Sequence, residues 1–250
     1  MHYKFLKKII GALGFKIIDK NLVKNERLLS KYSYLNIKEI LNQLFTTDEI
    51  KFVIQIGAND GKRFDDLNYF IKSYKPSAIF VEPIKSNFED LKKNYLKQKD
   101  LIFENMAISV NEEIKTLYKV KDSKLYLYDD HVIGITSFNQ NHLVKHGINK
   151  NHIEEENVET ISISSLLKKH NIKKFELLLI DTEGYDANIV IDFLTNSKLR
   201  PFIIFEYIHS DPKIFEKTLR LLHDEKYKVF KVGENIFCYL EENQNKLKII

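Results

Sequence analysis

Short apolar runs alternate with amphipathic stretches along most of the chain beyond residue 50. Phe52–Ile56 (FVIQI), Ala78–Val81 (AIFV), Leu177–Ile180 (LLLI) and Phe202–Phe205 (FIIF) are almost wholly apolar, which is the pattern of strands buried on both faces. Leu101–Phe103 begins a further strand that runs towards Asn105–Ile108. Between these runs the spacing lengthens to that of a helix. It does so through Phe64–Tyr74, at Ile84, Phe88, Leu91 and Tyr95, from Ser164, and after Gly184. Asp211-Pro212 sets a capping residue before a proline, the favoured order for opening a helix. Tyr227–Val232 and Ile236–Leu240 flank Gly233-Glu234-Asn235 and predict a closing antiparallel pair. The alternation predicts an α/β fold with a mostly parallel sheet and helices on both faces.

Two regions break the rhythm. Residues 1–50 read as helical, with Ile37, Ile40, Leu41, Leu44 and Phe45 forming a stripe behind a capping Asn36. Residues 110–160 offer Leu117–Val120 and Leu125–Tyr128 as a hairpin, and the remainder reads as loop. The expected organisation is a helical, basic N-terminal extension at 1–50 and one domain at 51–250 carrying an insertion at about 110–160. An insertion of that length over an α/β sheet points to function.

Composition narrows this further. A chain of 250 residues, 44% hydrophobic, fills one sizeable core. The net charge of +4 is too small to argue for nucleic acid. It is also uneven: residues 1–30 carry seven Lys or Arg against two acids, so the rest of the chain sums to −1. One cysteine, Cys238, precludes an internal disulfide and a cysteine-rich zinc site. No apolar run approaches the roughly 20 residues of a membrane span, and Ile9–Phe15 has no small-residue cleavage site after it. A cytoplasmic location is expected. Phe5, Leu6, Ile9, Ile10 and Leu13 fit one helical face. Packing of that face on the chain's own domain is preferred to a homodimer contact or a seat on an anionic membrane.

Ligands of open α/β sheets bind beyond the carboxyl ends of the strands. The groups there are Gly57-Ala58-Asn59-Asp60-Gly61, Glu82-Pro83, Asn105-Met106-Ala107, Asp181-Thr182-Glu183-Gly184 and Glu206-Tyr207-Ile208-His209. The glycine loop reads G-x-N-D-G and lacks the third glycine of the dinucleotide motif. An acid at Asp60 would repel a pyrophosphate and suit a ligand with a cationic centre, such as a sulfonium bearing an ammonium group. Glu82 is placed to accept two ribose hydroxyls; the bland alternative is a solvated loop acid. Asn105 and Ala107 fall where an adenine edge would lie, although a strand-end Asn is also a common turn former. Asp181 and Glu183 either cap a helix or lie beside a reacting centre. Glu206 and His209 form a pair three apart that offers a general base.

In order and spacing, VIQIGANDG (Val53–Gly61), FVEP (Phe80–Pro83), the Asn105–Ile108 stretch, LLLIDTEGYD (Leu177–Asp186) and FIIFEY (Phe202–Tyr207) resemble the FkbM-type S-adenosylmethionine-dependent methyltransferases. The resemblance covers about residues 50–210, and LLLIDTEG is its more specific element. It implies a Rossmann-like class I sheet of seven strands with a reversed final hairpin. It also implies S-adenosyl-L-methionine as donor and O-methylation of a sugar, glycan, polyketide or related small molecule. Family-type cofactor contacts fall on Gly57, Asn59, Asp60, Glu82 and Asp181. Glu183, Glu206 and His209 are the candidate bases. Two other readings stay open: a nicotinamide-dependent oxidoreductase or epimerase, and a non-catalytic nucleotide-binding module. No metal is assigned, although Asp181, Glu183, His131 and His142 are ligands a hard cation would accept.

Overall fold

The computed structural model describes residues 36–47, 49–129 and 134–241. The basic segment at 1–30, its apolar face and His131 lie outside the described residues. The described residues from Ile37 onward belong to one compact unit.

Seven strands form the main sheet. They are β1 (Phe52–Ile56), β2 (Ser77–Val81), β3 (Leu101–Glu104), β7 (Leu177–Ile180), β8 (Phe202–Glu206), β9 (Tyr227–Val232) and β10 (Asn235–Leu240). Their order is β3-β2-β1-β7-β8-β10-β9. The first five run parallel, and β10 is antiparallel to both β8 and β9. This is the predicted α/β architecture with its closing hairpin.

The strands are apolar throughout because both faces are covered. Val53, Phe80, Leu177, Leu179 and Ile204 pack beneath α1 (Ile37–Thr46), α2 (Asn68–Tyr74) and α3 (Lys85–Asn94), whose Leu41, Leu44, Ile71 and Leu91 are fully buried. Ile54, Ile56, Val81, Leu178, Ile180 and Phe205 face the opposite way. There they meet α5 (Ile163–Lys169), α6 (Asp186–Asn196) and α7 (Pro212–Asp224) through Ile163, Leu166, Val190, Phe193 and Leu222. The predicted stripe Ile37, Ile40, Leu41, Leu44 and Phe45 is the buried face of α1. Asp211 caps α7 by accepting from the backbone N–H groups of Lys213 and Ile214, with Pro212 just inside the helix, a cap worth about 1 kcal/mol.

The region at 110–160 departs from expectation. Leu117–Val120 does not pair with Leu125–Tyr128. It belongs to β5 (Ile114–Val120), which lies antiparallel to β6 (Ile153–Ile161). Leu125–Leu127 instead belong to a 3-10 turn, and the Tyr128 hydroxyl contacts His152 Nδ1 at 2.7 Å and accepts from Asn149 N–H. β4 (Ala107–Ile108) adds parallel to β6, completing a second, three-stranded sheet. The run from Leu101 to Ile108 is therefore two strands in two sheets, parted at Asn105. A helix, α4 (Gln140–Lys145), is capped by Asn139 and closes a small core of Val120, Ile135, Leu143, Ile148 and Ile153.

Candidate active site

Parallel pairing carries the chain ends of β1, β2 and β7 to one edge of the sheet. The ladder continues one residue past each strand, with Gly57 N–H donating to Val81 O at 2.9 Å and Asp181 N–H to Ile56 O at 2.9 Å. Glycine is required at Gly57: its φ is +80°, and a Cβ there would stand 1.7 Å from the Asp181 carbonyl oxygen. A cleft of about 360 Å³ opens over this edge.

Of the residues singled out as a cofactor site, Gly57, Ala58, Asn59, Glu82, Pro83, Ala107 and Asp181 line the cleft, whereas Asp60, Gly61 and Asn105 do not. Asp60 turns into its own loop. Its Oδ1 accepts from Lys62 N–H and Arg63 N–H, and its Oδ2 meets Arg63 Nε at 2.7 Å. Partial burial pushes its carboxyl up, but these bonds and the Arg63 charge outweigh it and hold Asp60 below the usual range. Its charge is thus neutralised inside the loop and does not face the cleft. Gly61 lets the loop lie against α3, since a Cβ would come within 2.5 Å of Leu91 and Tyr95. Asn105 donates to the carbonyls of Glu82 and Pro83, both at 2.9 Å, and so holds that turn.

Glu82 is buried at the end of β2. One carboxylate oxygen accepts from Asn59 N–H at 2.8 Å and the other from Ile84 N–H at 2.9 Å. Burial pushes its carboxyl up to about 7, against the pull of those two bonds and of Asn87. The glycine loop and the β2 end are thereby tied into one unit by a single side chain.

Across the cleft, the loop after β7 turns on Asp186, the first residue of α6. Its buried carboxylate accepts from Thr182 N–H, Thr182 Oγ1 and Gly184 N–H. Glu183 sits at φ +54° and Gly184 at φ +106°. A Cβ at Gly184 would lie 3.1 Å from the His209 carbonyl oxygen, so the two loops approach closely. Glu183 Oε2 stands 3.2 Å from His142 Nε2 and 3.8 Å from His209 Nε2, and Glu206 Oε2 stands 3.9 Å from His209 Nε2. Glu183 and Glu206 line the cleft; His209 stands behind them.

These charges shape one another. Burial, then Asp186 and Glu183, push Asp181 up to about 8. Asp181 nevertheless keeps open surface within the cleft. Burial, then Asp181 and Glu183, push Glu206 up to about 9. His209 is lowered by burial; Glu183 draws it back up, and His142 and His146 lower it further. Asp181 and Glu206 are thus held above the ordinary carboxylate range by burial and by the charge of neighbouring acids.

Several lining residues had no signal in the strand-end groups. Gln55 and Asp65 join through a 3.2 Å hydrogen bond, and Gln55 Oε1 is buried with no hydrogen-bond partner among the described residues. Thr136 and Phe138 come from the insertion. Acids dominate the charged lining, with Asp65, Asp66 and Glu234 joining Glu82, Asp181, Glu183 and Glu206 around a single arginine, Arg63. Met106, Ala107, Ile108, Leu117 and Phe138 supply an apolar wall. Such a cleft accepts a flat apolar group together with positive charge.

Residues 55–229 match the family model described as the methyltransferase FkbM domain. No curated protein matches the chain. Among solved structures, it is similar to the FkbM methyltransferase from Methylobacillus flagellatus KT, with 11% identity and a TM-score of 0.47 over 76% of this chain. It spans only 44% of that protein's length. The O-methyltransferase from Bacillus cereus in complex with SAH aligns over 94% of this chain and 97% of its own, at 10% identity and a TM-score of 0.44. Aeropyrum pernix fibrillarin, with natively bound S-adenosyl-L-methionine, aligns over 75% of this chain and 66% of its own, at 8% identity and a TM-score of 0.41.

Proposed function

Because the chain belongs to the family of FkbM-domain methyltransferases, we propose that its cleft binds S-adenosyl-L-methionine and that it methylates a hydroxyl of a sugar, glycan or related small molecule. The observation that carries this reading is the pairing of two halves across one cleft. Glu82 is held beside the glycine loop on one side, and Asp181, Glu183 and Glu206 gather on the other.

The residues fit this donor. Glu82 keeps lone pairs after its two backbone bonds and would accept the ribose hydroxyls, while Pro83 and Ala107 would flank the adenine. Gly57 and Ala58 leave the backbone approachable. The surplus of carboxylates suits a ligand with a positive sulfur and an ammonium group, and the buried Gln55 Oε1, without a partner among the described residues, is a ready acceptor for the latter. When bound, the donor supplies an electrophilic methyl group.

The chain's own part is alignment and proton removal. Holding an acceptor oxygen in line with the methyl group is worth roughly 7–11 kcal/mol. As the oxygen–carbon bond forms and the carbon–sulfur bond breaks, the hydroxyl proton passes to a base, a contribution of about 10²–10⁴-fold. Glu206 and His209 are the candidates, with Glu183 orienting His209. The acceptor side is built partly by Thr136 and Phe138 of the insertion, which would shape acceptor choice.

Equilibrium binding of labelled S-adenosylmethionine and of NAD, measured separately, tests this reading. Saturable binding of the first alone supports it. Binding of NAD alone would replace it with an oxidoreductase.

A further inference from the structure

We propose that the chain holds one divalent first-row transition-metal ion at a site built from His142, His146 and His209 together with Glu183 and Glu206. Three separate stretches of sequence meet there. His142 lies on α4 and His146 follows at its end, four residues apart and so on one helical face. Glu183 comes from the loop after β7. Glu206 and His209 come from the end of β8 and the turn beyond it.

The side chains converge closely. Ring centroids are 4.6 Å apart for His142 and His146, 4.6 Å for His142 and His209, and 4.9 Å for His146 and His209. Ligand atoms of His142, His146 and His209 lie within 4.8 Å of one another, and so do those of Glu183, Glu206 and His209. His209 belongs to both triads and links them. Three clustered imidazoles repel one another when protonated, whereas neutral imidazoles offer lone pairs to a cation. The two triads share His209, so an ion ligated by the three imidazoles would have Glu183 and Glu206 beside His209.

A second observation points the same way. Glu206 Oε2 is buried and has no hydrogen-bond partner among the described residues, and an unsatisfied buried carboxylate oxygen is costly. It stands 3.9 Å from His209 Nε2, too far for a hydrogen bond and suitable for two ligands of one ion.

The donor set selects the class of ion. Calcium and magnesium prefer oxygen ligands throughout, while imidazoles with one or two carboxylates suit zinc, iron, cobalt or nickel. The set also differs from the hard-cation group suggested by sequence. Asp181 is in neither triad, and His131 is outside the described residues. Because Glu183 and Glu206 line the cleft, an ion here would present an open position to an acceptor oxygen. That role rests on the methyl-transfer reading; ion binding itself does not.

The test is a titration of the untagged full chain, stripped by chelator, with Co²⁺, followed by visible absorption. The expected result is saturation at one equivalent, with d–d bands that Zn²⁺ abolishes by displacement. The double substitution His142→Ala and His146→Ala should weaken Co²⁺ binding by at least about tenfold and leave S-adenosylhomocysteine affinity unchanged. If circular dichroism shows that this variant fails to fold, His146→Gln is read in the same way. Absence of saturable bands in the wild-type chain overturns the proposal, as does unchanged Co²⁺ affinity in a folded variant. Binding of S-adenosylhomocysteine without Co²⁺ would sink the metal site alone. Binding of Co²⁺ without S-adenosylhomocysteine would support the metal site and sink the methyl-transfer reading instead.

Discussion

The two sides of the cleft are built on opposite plans. On the side of β1 and β2, Glu82 and Asp60 are held by backbone donors: Glu82 by Asn59 and Ile84, Asp60 by Lys62 and Arg63. On the side of β7 and β8, the acids and histidines face one another, and Glu206 keeps a buried oxygen without a hydrogen-bond partner among the described residues. A carboxylate held by N–H groups is fixed in place before any ligand arrives. Carboxylates crowded together are poised to exchange protons or to share a cation. The first arrangement suits recognition of a constant donor, and the second suits chemistry on an acceptor.

Substitutions that separate binding from turnover sharpen this contrast. The largest effect is expected on the reactive side. Single-turnover rates should fall by about 10²–10⁴-fold in at least one of Glu206→Gln and His209→Asn, with donor affinity held. If both variants turn over normally, the base is elsewhere, and Glu183 is the next to replace.

On the other side the effect should fall on binding. Glu82→Ala removes a charged acceptor of two hydroxyls, each bond being worth about 1.5–3 kcal/mol. Calorimetry should show S-adenosylhomocysteine binding weakened by roughly tenfold to a hundredfold for each bond lost. Glu82→Gln, which keeps an acceptor for one of the two N–H groups, guards against loss of the loop. Unchanged affinity in both variants would remove Glu82 from the site.

A smaller effect follows from pH. Burial raises the Glu82 carboxyl from an ordinary 4.5 to about 7, and its ionised form is the better acceptor. Affinity for S-adenosylhomocysteine should therefore rise with pH through about 7, by up to about tenfold between about pH 6 and 8, and Glu82→Gln should flatten the profile. Folding stability runs the other way. The folded state binds the extra proton, so this group's contribution is present below about 4.5 and declines as pH rises towards about 7. The smallest effect is expected from deleting residues 1–30. No residue of the proposed donor site precedes Gln55, so donor affinity should hold. Loss of affinity in a folded truncation would make the segment part of the donor site.

The same division governs how much was legible in the sequence. β1, β2, β7 and β8 stand out because strands covered on both faces must be apolar, and their ends announce Gly57, Glu82, Asp181 and Glu206. The direction of a side chain at a strand end is not encoded in that pattern. Asp60 faces its own loop because Arg63, three residues on, captures it. The second sheet was hidden for a different reason. In β6, Glu154 and Glu156 pair with Lys119 of β5 at 3.3 and 3.2 Å, so a genuine strand reads as an acidic, solvated loop. The spacing of His142 and His146 becomes informative only once α4 is recognised behind its Asn139 cap.

The central claim is that one cleft binds the donor on the β1–β2 side and reacts on the β7–β8 side. A crystal structure of the chain with S-adenosylhomocysteine tests it most directly. The account predicts the ribose hydroxyls on Glu82, the adenine between Pro83 and Ala107, and the sulfur pointing towards Asp181, Glu183 and Glu206. A ligand bound with its sulfur turned away from those three acids, or bound outside the cleft, would contradict it.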